Sequence, residues 1–525
     1  MRVIGKDVDA TRQVTVVASG TMPNGKAVNI NSDGTASVVA ETTASSDMTY
    51  GTFTNIENEA TQHMHIAADP FNNNRFALVD VDDVGDKNVH LYIITRSGSS
   101  ITVSSQIMVF NSPGNNASRS MSVWDVLTEN QLLICYNDDQ NDFNAVVATI
   151  SGSAGSETAT FGTTIEASNL SFTGGTDSYQ VLKPIGTTGS YLALYRGTSN
   201  YTYWRILTIS GTTVSRDTSG GAAGTVLVSV AMQPVMQADI DPNDSTTGFA
   251  LGVNSANEDL EAYPLTFSGT GTSMTVSAGT KQILKSGRNF QNSHSSPYIK
   301  YLTSSKFFVA ANTSQSPNAN DIETFLFDYD GSTYTEYTSV FLENPDGQVL
   351  QHYVDTVSPQ ADENSILVTM NLNGSPRYVY GAVATCDTSA NTVSYNTPAR
   401  IDNFSGGGAG YISYATQSDA SGTSLNSFSG TDGTGNQRPY VRLTQKGGTT
   451  SNIDADSFAG LSKSGAASGG GFVLNTKGAV ADNLTGLTAG QSYYVQADGT
   501  LGTTPATPSV FAGTAVSATK LIVKG

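Results

Sequence analysis

Carboxylates gather in a few short runs of this chain. Asp80-Val-Asp-Asp-Val-Gly-Asp86 brings Asp82, Asp83 and Asp86 together, and Asn137-Asp-Asp-Gln-Asn-Asp142 does the same for Asp138, Asp139 and Asp142. Smaller versions are Glu258-Asp259 and Asn318-Ala-Asn-Asp321. Oxygen-rich loops suit a hard cation such as Ca2+. The first run lacks the Asp-x-Asp-x-Asp-Gly frame and distal Glu of a calcium loop, so solvated turn residues are the plainer reading. A second chemistry is sugar binding, which sets an aromatic platform beside Asn, Asp and Gln on loops held by a rigid scaffold. Tyr201, following Ser199-Asn200, is the best-placed aromatic, whereas Trp124 and Trp204 read as core.

The five histidines are His63, His65, His90, His294 and His352. His63 and His65 alternate on one strand-like run and face the same way, as two zinc ligands could. No Cys, His or acidic residue at suitable spacing completes that set. Cys135 and Cys386 fall in separate parts of the sequence and are not expected to bridge. Phosphate loops, nucleophile elbows and sialidase-type Asp boxes are absent. These observations favour binding over catalysis, with no cofactor beyond an optional Ca2+. A scattered carboxylate pair for glycoside cleavage would leave no mark in sequence spacing.

The elements that must carry these groups are strands. The 525 residues are rich in Ser, Thr, Asn, Asp, Val and Tyr, hold 52 Gly, and are only 14% charged. Runs such as Arg75-Phe-Ala-Leu-Val79, Gln131-Leu-Leu-Ile-Cys135 and Tyr440-Val-Arg-Leu443 alternate with Asp-Gly, Ser-Gly and Asn-Gly turns, and no window repeats apolar residues at helical spacing. The fold class is all-β. A net charge of −19 argues against a nucleic-acid partner. No apolar stretch is long enough for a membrane helix, and the first residues lack the apolar core of a secretory signal.

A repeat organises the strands. Apolar runs begin at Phe76, Leu132, Tyr191, Phe249, Phe307, Ile366 and, more weakly, Leu425, so the period is 56 to 59 residues. Tight turns at Gly98, Gly152, Gly211, Gly269 and Gly331 keep the same beat; the sixth copy reads Cys386-Asp-Thr-Ser, and Gly447 resumes it. Four strands per unit and about seven units describe a β-propeller of six to eight blades, because a twisted four-stranded sheet needs neighbours on both faces. Residues 392–403 and 47–58 align without a gap, sharing Tyr, Thr, Ile, an acid and Asn. Residues 47–58 therefore read as a fourth strand that completes the last blade. The domain plan is a β module at 1–45, the propeller at 46–447, and a β module at 448–525. In a propeller, the loops between second and third strands share one face with the links between blades. That face carries the acidic runs and Tyr201.

Both end segments hold an Asp-Gly-Thr hairpin, at Asp33 and at Asp498. The latter lies within Asn483-Leu-Thr-Gly-Leu-Thr-Ala-Gly-Gln-Ser-Tyr-Tyr-Val-Gln-Ala-Asp-Gly-Thr-Leu-Gly-Thr-Thr504, which continues through Pro508-Ser-Val510 to Ala512–Lys524. With Phe458-Ala-Gly-Leu-Ser462 upstream, this resembles the C-terminal module of tail-fibre and other virion structural proteins of tailed bacteriophages, often marine ones. Gly20-Thr-Met-Pro-Asn-Gly-Lys-Ala-Val-Asn29 is similar to the start of such proteins. The resemblance implies a virion protein assembled in the host cytoplasm. Its partners would be other tail or capsid proteins and a host surface glycan or protein. A homo-oligomer, with a trimer favoured, would be its state. A tail fibre or receptor-binding appendage is the leading role. A purely structural component (nozzle, collar or capsid-decorating fibre) is the alternative, and a polysaccharide depolymerase ranks below both.

Overall fold

A computed structural model describes residues 12–40, 48–57, 59–82, 87–111, 120–138, 142–169, 180–197, 200–286, 297–313, 321–342, 352–359, 365–372, 378–402, 416–418, 422–431, 437–446, 452–454, 456–505 and 509–524. The chain divides into two compact units, 46–446 and the combination of 1–45 with 447–525.

The unit 46–446 holds seven antiparallel sheets built as four-step meanders. Blade 1 runs Thr61–Ala68, Arg75–Asp82 and Val89–Ser97, then a fourth strand in two pieces, Ser100–Val103 and Ile107–Phe110. Its second strand is buried along almost its whole length, which a sheet covered on both faces requires. Seven apolar clusters supply that cover, each shared by neighbouring blades. Val79 meets Leu132, Leu133 meets Tyr191, Leu192 meets Ala250, and Phe249 meets Phe307. Phe308 then meets Ile366, Leu367 meets Phe428, and Leu425 returns to Phe76. The last contact closes the circle, so the fold is a seven-bladed β-propeller.

Ring closure follows the sequence alignment. Met48–Tyr50 and Thr54–Asn55 pair with Gln437–Lys446, the third strand of blade 7, with Tyr50 opposite Thr444 and Asn55 opposite Tyr440. One detail of the repeat differs. Phe249 and Leu425 face the following blade, whereas Phe76, Leu132, Tyr191, Phe307 and Ile366 face the preceding one. Matched by ladder position, Gly248 and Ser424 are the true equivalents, opposite Leu265 and Thr444. A one-residue offset moves a side chain to the other face of a strand, and a beat counted on large residues does not see it.

The break in the fourth strand has a physical cause. At the break a third-strand N–H loses its ladder partner, and a side chain accepts it instead. Ser104 Oγ takes Ile93 N–H at 3.0 Å, Asp217 Oδ1 takes Ile206 N–H at 2.9 Å, and Asn396 Oδ1 takes Val383 N–H at 2.6 Å. Blade 4 has Pro264 at this place, with no N–H to satisfy, and its break residue is Gly279, whose own N–H donates to Pro264 O at 2.7 Å. In blade 6 the turn that lacks glycine is made by Asn391, at φ 58, the left-handed region Asn tolerates best after Gly.

The other unit draws on both ends of the sequence. Gln13–Val17, Ala27–Ile30 and Ala36–Val38 share a five-stranded sheet with Phe458–Ser462 and Gly471–Asn475. Residues 480–523 form a second five-stranded sheet, and Ala27, Val39, Leu461, Val495 and Leu521 are buried in one cluster. No helix among the described residues is long and apolar enough to cross a membrane.

Candidate functional site

The acidic loops are built alike in several blades. Each extends the ladder between second and third strands by one more pair. Asp82 N–H donates to Asn88 O at 3.1 Å, and Asn88 N–H donates to Asp82 Oδ1 at 2.9 Å. Asp138 and Asp142 repeat this, at 3.1 Å between backbones and 3.0 Å from Asp142 N–H to Asp138 Oδ1. Gly197 with Tyr201 and Asn254 with Asp259 close the same way, each at 3.0 Å. Asp82 is buried, and one oxygen of each of Asp82 and Asp138 holds its own turn. Burial, with Asp138 and Glu166 nearby, holds the Asp142 carboxyl above its usual range. Tyr201 is half-buried and packs against the cluster between blades 2 and 3, so it borders the core. Asp321 opens the third strand of blade 5 opposite Thr313. Asp83, Asp86 and Asp139 lie outside the described residues.

The histidine pair has a different task. His63 Nδ1 accepts the Ser120 N–H at 3.5 Å, and His65 Nδ1 accepts the Ser122 N–H at 3.2 Å. Trp124 Nε1–H donates to Ala67 O at 3.0 Å in the same register. These contacts link the first strands of blades 1 and 2, and burial lowers the His65 pKa to about 4. His352 sits on the first strand of blade 6, opposite Leu372, and His294 is outside the described residues. Cys135 and Cys386 are buried thiols in different clusters.

A concentrated set of ionisable groups lies where the ring closes. On the second strand of blade 1, Phe76, Leu78 and Asp80 share a face, and Ile94, Tyr92 and His90 lie opposite them on the third strand. Phe76, Leu78, Tyr92 and Ile94 fill the interface with blade 7. Toward the loop face this apolar row ends in Asp80, 0% exposed, and His90, 2% exposed. Glu57 joins them from the chain just past the closing strand. Its Oε2 accepts from Gln106 Nε2 at 2.9 Å and from the Tyr92 hydroxyl. Gln106 Nε2 also lies 3.2 Å from His90 Nδ1 and 3.1 Å from the Tyr92 oxygen. Asp80 Oδ2 accepts from Thr61 Oγ at 3.3 Å. Asp80 Oδ1 and Glu57 Oε1 are buried without a donor from another residue, the two carboxyls lie within hydrogen-bond reach of each other, and Asp80 Oδ1 is 3.7 Å from His90 Nδ1.

Ligand atoms of Glu57, Asp80 and His90 all lie within 4.8 Å of one another. Burial, then the neighbouring Glu57 charge, pushes the Asp80 carboxyl well up, and burial raises Glu57 as well. Burial lowers the His90 pKa to about 4, so the ring is neutral at ordinary pH and offers a lone pair. Two buried carboxyls and a neutral imidazole can share a proton or hold a cation. Matched ladder positions in blades 2 and 3 carry Tyr136 opposite Asn144 and Tyr195 opposite Tyr203, and in blades 4 and 5 the position matching His90 carries a buried glutamate, Glu261 or Glu323; among the described residues Glu57, Asp80 and His90 are the one group of three that converges. Sequence reasoning placed Asp80 in a loop, and the alignment marked Glu57 only as the acid matching Asp402. Asp402 accepts the Val379 N–H of its own blade. Glu57, one methylene longer, reaches blade 1 instead.

No protein-family profile and no curated protein matches the sequence. Solved structures do. The lectin BP39L of Burkholderia pseudomallei is 8% identical over 76% of this chain and 99% of its own, with a TM-score of 0.49. The periplasmic gluconolactonase PpgL of Pseudomonas aeruginosa is 10% identical over 74% of this chain and 96% of its own, with a TM-score of 0.44. The β-propeller domain of Cps50 (Swd1) from Myceliophteria thermophila is 9% identical over 76% and 99%, with a TM-score of 0.41. Identities this low speak to the fold alone. The expectation that the chain is not an enzyme is corrected here. Chains similar in fold include a gluconolactonase, so the architecture does not set catalysis aside.

Proposed function

We propose that this chain is a virion protein of a tailed bacteriophage, a tail fibre or receptor-binding appendage that meets the host surface through its propeller loops. The observation that carries the reading is the end unit. The segments that resemble phage virion modules, 20–29 and 458–524, are parts of one unit drawn from both ends of the sequence. The propeller is inserted between its two halves. One unit then suits attachment to other tail or capsid proteins, and the propeller suits recognition. Its second-to-third-strand loops share one face and vary in sequence on a common backbone device. On a particle, several copies would multiply weak loop contacts with a host glycan or protein. With a net charge of −19, adsorption to an anionic cell surface is expected to weaken at low ionic strength.

The test is competition. Purified full-length protein, folded and in its native oligomeric state, is added to host cells before phage adsorption is counted. Blocked adsorption supports receptor binding and directs mutagenesis to the loops at Asp138 and Tyr201. Unchanged adsorption overturns it and favours a nozzle, collar or decorating role, which immunolabelling of the particle would then locate. Shortening of host polysaccharide during the same incubation would point to a depolymerase.

A further inference from the structure

The geometry points to a first-row divalent metal site, of the Zn2+ type, that joins the ring-closing segment to blade 1 through a carboxylate oxygen each of Glu57 and Asp80 and a ring nitrogen of His90. Three observations carry it. One ligand atom from each of the three residues lies within 4.8 Å of the others, and Asp80 Oδ1 is 3.7 Å from His90 Nδ1. Ligands of a tetrahedral zinc at about 2.0–2.2 Å from the metal stand roughly 3.3 Å apart, so modest side-chain motion closes the set. Asp80 is fully buried, neither its Oδ1 nor Glu57 Oε1 has a donor from another residue, and the two carboxyls stand within hydrogen-bond reach of each other. Two buried carboxyls with no other donor must share a proton or hold a cation, and the His90 nitrogen beside them supplies the third ligand that a cation would take.

The donor set chooses the class of metal. An imidazole nitrogen with two carboxylates suits Zn2+ and its first-row neighbours, whereas Ca2+ takes six or more oxygens. Gln106 stands where a fourth group would be. Its amide now donates toward His90 Nδ1 at 3.2 Å. A half-turn of that amide would present Oε1 to the metal, since the two ends are interchangeable in outline. The negative charges of Asp82, beside Asp80, and Glu59, beside Glu57, add to the attraction. Binding releases whatever proton the two carboxyls hold and leaves His90 neutral. The metal would tie Glu57 to the second and third strands of blade 1, adding a coordinate link at the one joint made by residues far apart in sequence.

The experiment uses the full-length protein stripped with EDTA and titrated with Zn2+, Co2+ or Ca2+. One equivalent of Zn2+ is expected to bind and raise the melting temperature by a few degrees at about 100-fold excess over Kd. Co2+ is expected to give the visible d–d absorption of a low-coordinate nitrogen–oxygen site. Asp80→Asn and Glu57→Gln should each weaken binding at least tenfold. Absence of stoichiometric Zn2+ or Co2+ binding by the unmodified protein overturns the proposal, whether or not the variants fold. So does a response to Ca2+ alone, or Zn2+ binding undiminished in both variants. The result is independent of phage adsorption.

Discussion

Between blades 4 and 5, Phe249 lies 5.2 Å from Phe307 and 5.7 Å from Tyr301, while Tyr334 meets Phe249 edge-on at 5.6 Å. Phe307 in turn stacks on Phe327 at 5.8 Å. Between blades 7 and 1 the second and third strands of blade 1 carry Phe76, Leu78 and Ile94 for part of their length, then Asp80 and His90, which Glu57 joins from beyond the closing strand. The core of the first interface is apolar and rich in rings, whereas the apolar row of the second gives way to ionisable groups where the chain closes its ring. The first is held by buried area, which solution conditions within the native range barely alter. The second is held partly by groups whose protonation and ligation can change. The comparison shows one architecture able to build one seam around rings and gather three ionisable side chains at another.

The largest expected effect breaks the aromatic side. Phe307→Ala should cost about 4 kcal/mol in urea unfolding, nearly the same at pH 5 and pH 8. The seam should behave differently. His90 titrates near 4 when folded and near 6.5 when unfolded. Between those values the unfolded chain binds a proton that the folded chain refuses, so stability from this group is lost as pH falls from about 6.5 to 4. The full loss is on the order of 3 kcal/mol. Asp80, whose folded pKa is raised, acts oppositely, and its contribution is lost as pH rises above its unfolded value. The contrast between unmodified protein and His90→Gln, taken at each pH, isolates the histidine; identical acid profiles would remove it from the account.

Asp80→Asn sharpens the comparison through a change of sign. Without metal it should raise the melting temperature at pH 8, because a costly buried carboxyl is gone, and the gain should shrink toward pH 4. With Zn2+ present it should lower it. The smallest effect tests a turn distant in character from both seams. Gly34, at φ 83 with open space around it, should tolerate Ala at a cost of about 1–2 kcal/mol from the left-handed backbone alone. Gly499, in the same Asp-Gly-Thr motif, should cost more, because an added Cβ would meet Val39 O at 1.9 Å.

Much was legible in the residues themselves. Strand-like runs of about five to eight residues, turn glycines and a period near 58 carry the all-β class, the blade count and the closing strand, because local turn chemistry and two-sided burial repeat with the fold. The Tyr-Thr-Ile-acid-Asn match between 392–403 and 47–58 placed the closing strand but gave Glu57 no role. Other features needed the folded chain. The face that Phe249 and Leu425 present depends on ladder register. The metal-competent cluster depends on Glu57 meeting Asp80 and His90 across a ring seam, and no spacing rule joins those positions. That Ala27 and Leu461 pair in one sheet is likewise a matter of long-range closure. Periodicity is written in neighbours along the chain; a site assembled by closing a ring is decided only by which ends the tertiary structure brings together.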